Sequence, residues 1–199
     1  LRYGIPEYRL PKKILDREIN NILNLGVEVR TNTTLGKDII IDSLKKEYDV
    51  LFIAIGAWKA NSMQVEGEYE TEGVYSGLEY LIKQELEGAQ PVYGTVVVIG
   101  GGNTAIDVSR TALRNGAEKV IILYRRSRAE MPADPIEIHA AEEEGVEIRF
   151  LSAPTGIITQ KERPKLQALQ CIRMELGKPD SSGRRRPVVI EGSEYELPC

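Results

Sequence analysis

TVVVIGGGNTAIDVSRTALRNGA, residues 95–117, decides how this chain is read. A β-branched run, Thr95–Ile99, leads straight into Gly100-Gly101-Gly102. An amphipathic helical pattern then covers Asn103–Arg114, and Gly116 is placed to end it. Strand, glycine turn and helix in that order are what a nucleotide-binding βαβ unit requires. Within Gly100-x-Gly102-x-x-Ala105 each small residue has a physical task. Gly100 permits the tight turn out of the strand, Gly102 lets the backbone approach a pyrophosphate, and Ala105 lets the helix lie close to the sheet. The helix N-terminus offers N–H groups and a partial positive charge to phosphates. Asn103 and Thr104 stand where side-chain hydrogen bonds would add to these. Gly100, Gly101, Gly102, Asn103, Thr104 and Ala105 are therefore the candidate phosphate-binding residues.

The end of the next strand, Lys119–Tyr124, bears on which nucleotide is preferred. An NAD-specific unit carries an acid about 20 residues past the fingerprint, to hold the ribose 2′-hydroxyl. Here Arg125-Arg126-Ser127-Arg128 follows Tyr124, and Arg125 lies 23 residues after Gly102. Guanidinium groups suit a 2′-phosphate, which they grip bidentately. Arg125, Arg126 and Arg128 predict NADPH as the ligand.

Outward from this core, the pattern continues as a Rossmann-like α/β fold with helices on both faces of a parallel sheet. Asp134, Pro135 and Glu137 give a cap, a first-turn proline and an early acid for another helix, which ends at Gly145 before a strand over residues 146–151. Ser76 with Glu79 forms a capping box ahead of Leu78, Leu81, Ile82 and Leu86. From Pro154 the pattern changes. Residues 156–159, 166–176 and 187–190 read as an antiparallel meander beside the parallel sheet. On the N-terminal side, Pro11 opens a helix whose apolar face holds Ile14, Leu15, Ile19, Ile22 and Leu23, with Gly26 as its stop. Residues 27–30 and 49–55 read as strands, the second apolar enough to be buried on both faces. Residues 60–73 read as a connection between two bodies.

Composition bounds the rest. The chain has 199 residues, 42% hydrophobic and 28% charged, with a net charge of −4. That balance fits a globular protein and argues against nucleic acid as partner. No apolar run is long enough to span a bilayer, and no leader opens the chain, so the expected setting is cytoplasmic and away from membranes. Cys171 and Cys199 form no C-x-x-C pair, which argues against a metal centre and against a thioredoxin-reductase-like disulfide exchange. The single His139 sits on a helix that reads as exposed. Arg184-Arg185-Arg186 reads as a solvated hairpin tip and Glu142-Glu143-Glu144 as an exposed helix end. No side chain stands out as an acid, base or nucleophile, so no catalytic residue is named.

Several stretches together resemble the small (beta) subunit of NADPH-dependent glutamate synthase and its relatives, the N-terminal half of dihydropyrimidine dehydrogenase among them. They are GIPEYRLPK (4–12), LGVEV (25–29), YDVLFIAIGA (48–57), VVVIGGGNTAIDVSRTALRNGA (96–117), YRRSRAEMPA (124–133) and LGKPDSSGRRRPV (176–188). The resemblance implies a flavoprotein with two dinucleotide-binding domains, an NADPH domain being inserted into an FAD domain. Residues 1–63 would then be part of the FAD domain and residues 64–199 the NAD(P)H domain, short of its last strand. It implies that Ala54, Ile55 and Gly56 lie near the flavin. It further implies hydride transfer from NADPH to FAD, with electrons passing to an iron–sulfur or large catalytic subunit. The rival expectations are a non-catalytic nucleotide-binding module and an NAD(P)H–ferredoxin oxidoreductase subunit of another redox complex. The family's FAD pyrophosphate loop and iron–sulfur cysteines have no counterpart in these residues.

Overall fold

The computed structural model describes residues 1–199. Its packing forms two compact units, Glu7–Lys59 and Leu1–Pro6 with Ala60–Cys199. In the smaller unit α1 spans Lys12–Leu23 and α2 spans Ile41–Glu47. Pro11 stands just before α1 rather than in its first turn, with φ −54° and ψ 126°. Leu15 is buried, whereas Ile14, Ile19, Ile22 and Leu23 on the same apolar face stay exposed. The helix α2, which the hydrophobic pattern does not announce, has Asp42 in its first turn and Lys45 and Lys46 in its last, each matching the helix dipole.

Two expectations fail in this unit. Residues 27–30 and 49–55 form no strand, and the second is not buried: Phe52 is 91% exposed, with Val50, Ile53 and Ile55 also exposed. The physical reason is pairing. Strand-forming residues make a strand only where a neighbour satisfies their backbone groups, and neither segment pairs with another in this chain.

The larger unit opens with α3, Gly77–Glu87, capped by Ser76, whose Oγ accepts from the Glu79 N–H at 3.4 Å. Then come β1 (Thr95–Ile99), α4 (Asn103–Arg114), β2 (Lys119–Tyr124), α5 (Pro135–Glu143) and β3 (Glu147–Phe150). Asp134 caps α5 by accepting from the Ile136 N–H, and Pro135 occupies the first turn as its fixed φ allows. The three strands form a parallel sheet in the order β1-β2-β3, with Thr95 opposite Lys119 and Ile121 opposite Glu147. Strands β4 (Ser152–Thr159), β5 (Leu166–Pro179), β6 (Arg185–Val189) and β7 (Tyr195–Pro198) make an antiparallel sheet centred on β5. The α/β class with an antiparallel meander is as the sequence reads. The closing strand β7, which turns back onto β5, is not announced by the sequence pattern.

Helices on both faces are not found. Val96, Val98, Val120, Ile122 and Tyr124 pack with α3, α4 and α5 in one cluster. Val97, Ile99, Ile121 and Leu123 pack instead with Leu169, Cys171 and Leu197 of the antiparallel sheet. This is the strand period of two sorting one sheet between two different partners. Strands added in sequence order by crossovers of the same hand keep both helices on one side, so the meander fills the other face.

On the helical side α4 and α5 are tied by charge. Arg110 binds Glu137 at 2.5 Å and Glu144 at 2.7 Å, and Arg114 binds Glu144 at 2.7 Å. Burial alone would raise the Glu144 pKa, but the two guanidinium groups outweigh it and hold the carboxyl at about 2. A depressed folded-state pKa adds stability that is complete above the ordinary carboxylate range and fades as pH falls through the folded value. Glu144→Gln should therefore cost about 1–3 kcal/mol at neutral pH. Its deficit against wild type should shrink between about pH 4.5 and pH 2. Urea unfolding across that range checks this, and a deficit independent of pH would contradict it.

Candidate functional site

The glycine turn is built from three different constraints. Gly100 has φ +140°, a conformation that side chains rarely adopt, so the exit from β1 needs glycine at this point. Gly101 lies under the ring of Tyr124, where an added Cβ would fall 2.5 Å from the nearest ring atom. Gly102 has ordinary extended angles, φ −92° and ψ 174°, and an added Cβ would meet nothing within 4 Å. No neighbour in the protein demands glycine there. Ala105 is buried, and its Cβ would be 3.5 Å from one added at Gly100, so the small residue sets how closely α4 approaches the turn.

Gly102 is also the N-cap of α4. No side chain caps the helix, and no acid lies in its first turn. The first helical bonds to the Gly102 carbonyl come from Ala105 at 2.9 Å and Ile106 at 3.2 Å. The N–H groups of Gly102, Asn103 and Thr104 therefore precede the ladder. Thr104 is exposed. Asn103 Oδ1 accepts from the Asp134 N–H at 2.9 Å, which leaves the donor end of its amide for other contacts. The Ala133 N–H donates to the Gly101 carbonyl at 3.1 Å, so the segment before α5 is stitched to the turn at two adjacent residues.

The three arginines after β2 do not share one environment. Arg125 is exposed. Arg126 is only 6% exposed; its Nη2 donates to Asp180 at 2.6 Å and its Nε to the Arg185 carbonyl at 2.9 Å. Arg128 pairs with Glu142 of α5 and lies over the Phe150 ring at 5.5 Å. Arg185 donates to the buried Glu130 at 2.6 Å, and Glu130 also accepts from Ser127. The hairpin tip between β5 and β6 is thus docked on the arginine turn; Arg185 is paired there while half of its side chain stays in solvent. Two acids of the 142–144 run are likewise paired rather than free on a helix end.

Ala54, Ile55 and Gly56 lie in the smaller unit as exposed, non-strand backbone. Gly56 has φ +73°, and Trp58 folds back beside it with Nε1 donating to the Ile55 carbonyl at 2.8 Å. His139 is exposed and faces Glu143 at 3.3 Å. Cys171 is fully buried, and burial pushes its thiol up to about 11, so it is no thiolate nucleophile near neutral pH. Missed from sequence were Tyr124, Asp180, Glu130 and Arg185, whose contacts with the site residues are made in space. The one sequence signal was that an acid and three arginines share the turn at 180–186.

Fold and turn together define a Rossmann-like α/β module. The chain belongs to the pyridine nucleotide-disulphide oxidoreductase family, whose model matches residues 13–177. It is 47% identical over 201 residues to the NADP(+)-dependent formate dehydrogenase subunit beta of Moorella thermoacetica, covering 100% of this chain and 28% of that one. It is 44% identical to the NADPH-Fe(3+) oxidoreductase subunit beta of Geobacter sulfurreducens, covering 98% and 29%. The resemblance to glutamate synthase is borne out by 36% identity to the glutamate synthase [NADPH] small chain of Escherichia coli, covering 100% and 44%. The chain spans less than half the length of these relatives. Among solved structures, Mycobacterium tuberculosis FprA in complex with NADPH superposes with a TM-score of 0.77 at 17% identity, covering 100% of this chain and 59% of that one; this shows the shared fold. No helix is long and apolar enough to cross a membrane.

The glycines separate in a stability test. Gly101→Ala should cost about 1–3 kcal/mol by forcing Tyr124 aside, while Gly102→Ala should change stability by less than about 1 kcal/mol. Urea unfolding of both variants measures the difference. Equal losses would mean that Gly102 is also needed for packing.

Proposed function

We propose that this chain is the NADPH-binding portion of a flavin-dependent oxidoreductase subunit that takes hydride from NADPH to FAD and passes electrons to an iron–sulfur or large catalytic partner. The observation that carries the reading is Gly102. It is a glycine with ordinary backbone angles and empty space where its side chain would be, at the uncapped N-terminus of a 12-residue helix. A ligand whose phosphates approach the backbone explains that choice; protein packing does not.

The residues present fit the nucleotide. The N–H groups of Gly102, Asn103 and Thr104 would take the pyrophosphate, with the Asn103 amide adding a donor. The exposed Arg125 meets the ribose side, where an acid would otherwise select NAD. Bound NADPH supplies the hydride, and the protein's part is to hold and orient it. No proton transfer from a side chain is needed, which agrees with a site built from glycines, amides and guanidinium groups. For FAD this chain offers only Ala54, Ile55 and Gly56, and no step is derived through them.

The packing division near residue 60 supports the assignment of residues 1–63 to an FAD domain and 64–199 to the NAD(P)H domain, although Leu1–Pro6 packs with the latter. The subunit names of the relatives support a multi-subunit complex. The higher identities to the formate dehydrogenase and NADPH-Fe(3+) oxidoreductase beta subunits favour a redox partner of that kind over a glutamate synthase large subunit. Two unpaired thiols fit a reducing, cytoplasmic setting.

In the full-length protein, Gly102→Val should weaken NADPH binding by more than about tenfold, equivalent to about 1.4 kcal/mol, with the fold intact. Calorimetry measures the affinity, and NADPH oxidation with an artificial acceptor reports the activity. Unchanged affinity would remove the assigned site. Tight binding without oxidation would leave a non-catalytic nucleotide module.

A further inference from the structure

We propose that Arg125 alone reads the 2′-phosphate, while Arg126 and Arg128 are braces that hold the turn in place. The inference rests on the reading above, in which the pyrophosphate sits at Gly102. Three guanidinium groups within four residues look interchangeable in the sequence, but their donors are committed differently. Arg126 spends Nη2 on Asp180 and Nε on the Arg185 carbonyl, and almost none of it reaches solvent. A phosphate recruiting it would have to strip those partners and leave the Asp180 carboxylate without its guanidinium. Asp180 is fixed in turn, accepting from the Ser182 N–H at 2.9 Å and the Ser182 hydroxyl at 2.5 Å.

A second cross-link runs the other way. Arg185 of the hairpin donates to Glu130 of the turn, as Arg126 of the turn donates to Asp180 of the hairpin. The two ion pairs bind the segments reciprocally, an arrangement that fixes a backbone and presents no charge to a ligand. Arg128 is more than half exposed, but its guanidinium is paired with Glu142 and lies on the Phe150 ring face, on the side of α5 and β3. Arg125 is exposed, and no acid pairs with it. A phosphate displaces only water from that side chain. The preference for NADPH over NADH is then set by one charge, and it should be of the size that one charge-assisted contact gives, roughly ten- to a hundredfold.

The test uses the full-length protein and compares NADPH and NADH affinity by calorimetry at fixed salt. The variants are Arg125→Gln, the pair Arg126→Gln with Asp180→Asn, and the pair Arg128→Gln with Glu142→Gln. Each pair removes one positive and one negative charge, so the net field is kept. Arg125→Gln should lower the NADPH-to-NADH ratio about tenfold or more and leave NADH affinity within about twofold. Both pairs should leave the ratio within about threefold while unfolding at lower denaturant. A pair that lowers the ratio as far as Arg125→Gln overturns the proposal, and so does an Arg125→Gln variant that keeps the preference. Wild-type protein that binds both nucleotides equally removes the NADP reading itself, and this proposal with it. A second measurement needs no stable pair variant: adding 2′,5′-ADP should shift the Arg125 Nε–H resonance in ¹⁵N spectra and leave that of Arg126 in place. A shift at Arg126 Nε–H would overturn the assignment.

Discussion

The contact between the Tyr124 ring and Gly101 is the constraint on which the rest of the larger unit depends. Tyr124 ends β2 and is buried, with its ring against Gly101, where an added Cβ would fall 2.5 Å from it. Its hydroxyl donates to the Glu130 carbonyl at 2.7 Å, which fixes the far end of the arginine turn. The Gly101 carbonyl accepts from Ala133, which fixes the start of α5. One aromatic residue thus sets the glycine turn, the arginine turn and the approach to α5 relative to one another. Buried tyrosine is suited to this, since its ring fills volume and its hydroxyl still finds a partner.

The division of the parallel sheet between two layers follows from the same strands. Alternate residues of β1 and β2 meet helices on one side and the β5-centred sheet on the other. That second layer does more than cover apolar surface. By continuing into the β5–β6 hairpin it brings Asp180 and Arg185 to the arginine turn, 54 and 55 residues away in sequence from their partners Arg126 and Glu130. The β5–β6 hairpin and the arginine turn are therefore parts of one construction, in which charges that look alike in the sequence have different partners.

Much of this was legible in the chain. The β-branched run Thr95–Ile99, the apolar run Lys119–Tyr124, the glycine turn and the caps at Ser76 and Asp134 are local signals, and each appears where local physics puts it. What was not legible is what depends on partners. Residues 49–55 carry strand chemistry without a neighbouring strand, so they remain irregular and largely exposed. The second face of the sheet belongs to a meander because the strand order puts both crossover helices on the other. The pairing of Arg126 with Asp180 and of Arg128 with Glu142 is likewise invisible in the sequence, where the three arginines look alike. The packing of the Tyr124 ring over Gly101 is equally a contact made in space.

The most direct test of the account is a crystal structure of the full-length protein with bound NADP⁺. It should show the pyrophosphate within hydrogen-bond distance of the Gly102 and Asn103 N–H groups. The 2′-phosphate should lie on Arg125, with Arg126 still paired to Asp180. A nucleotide bound away from the α4 N-terminus would contradict the central claim.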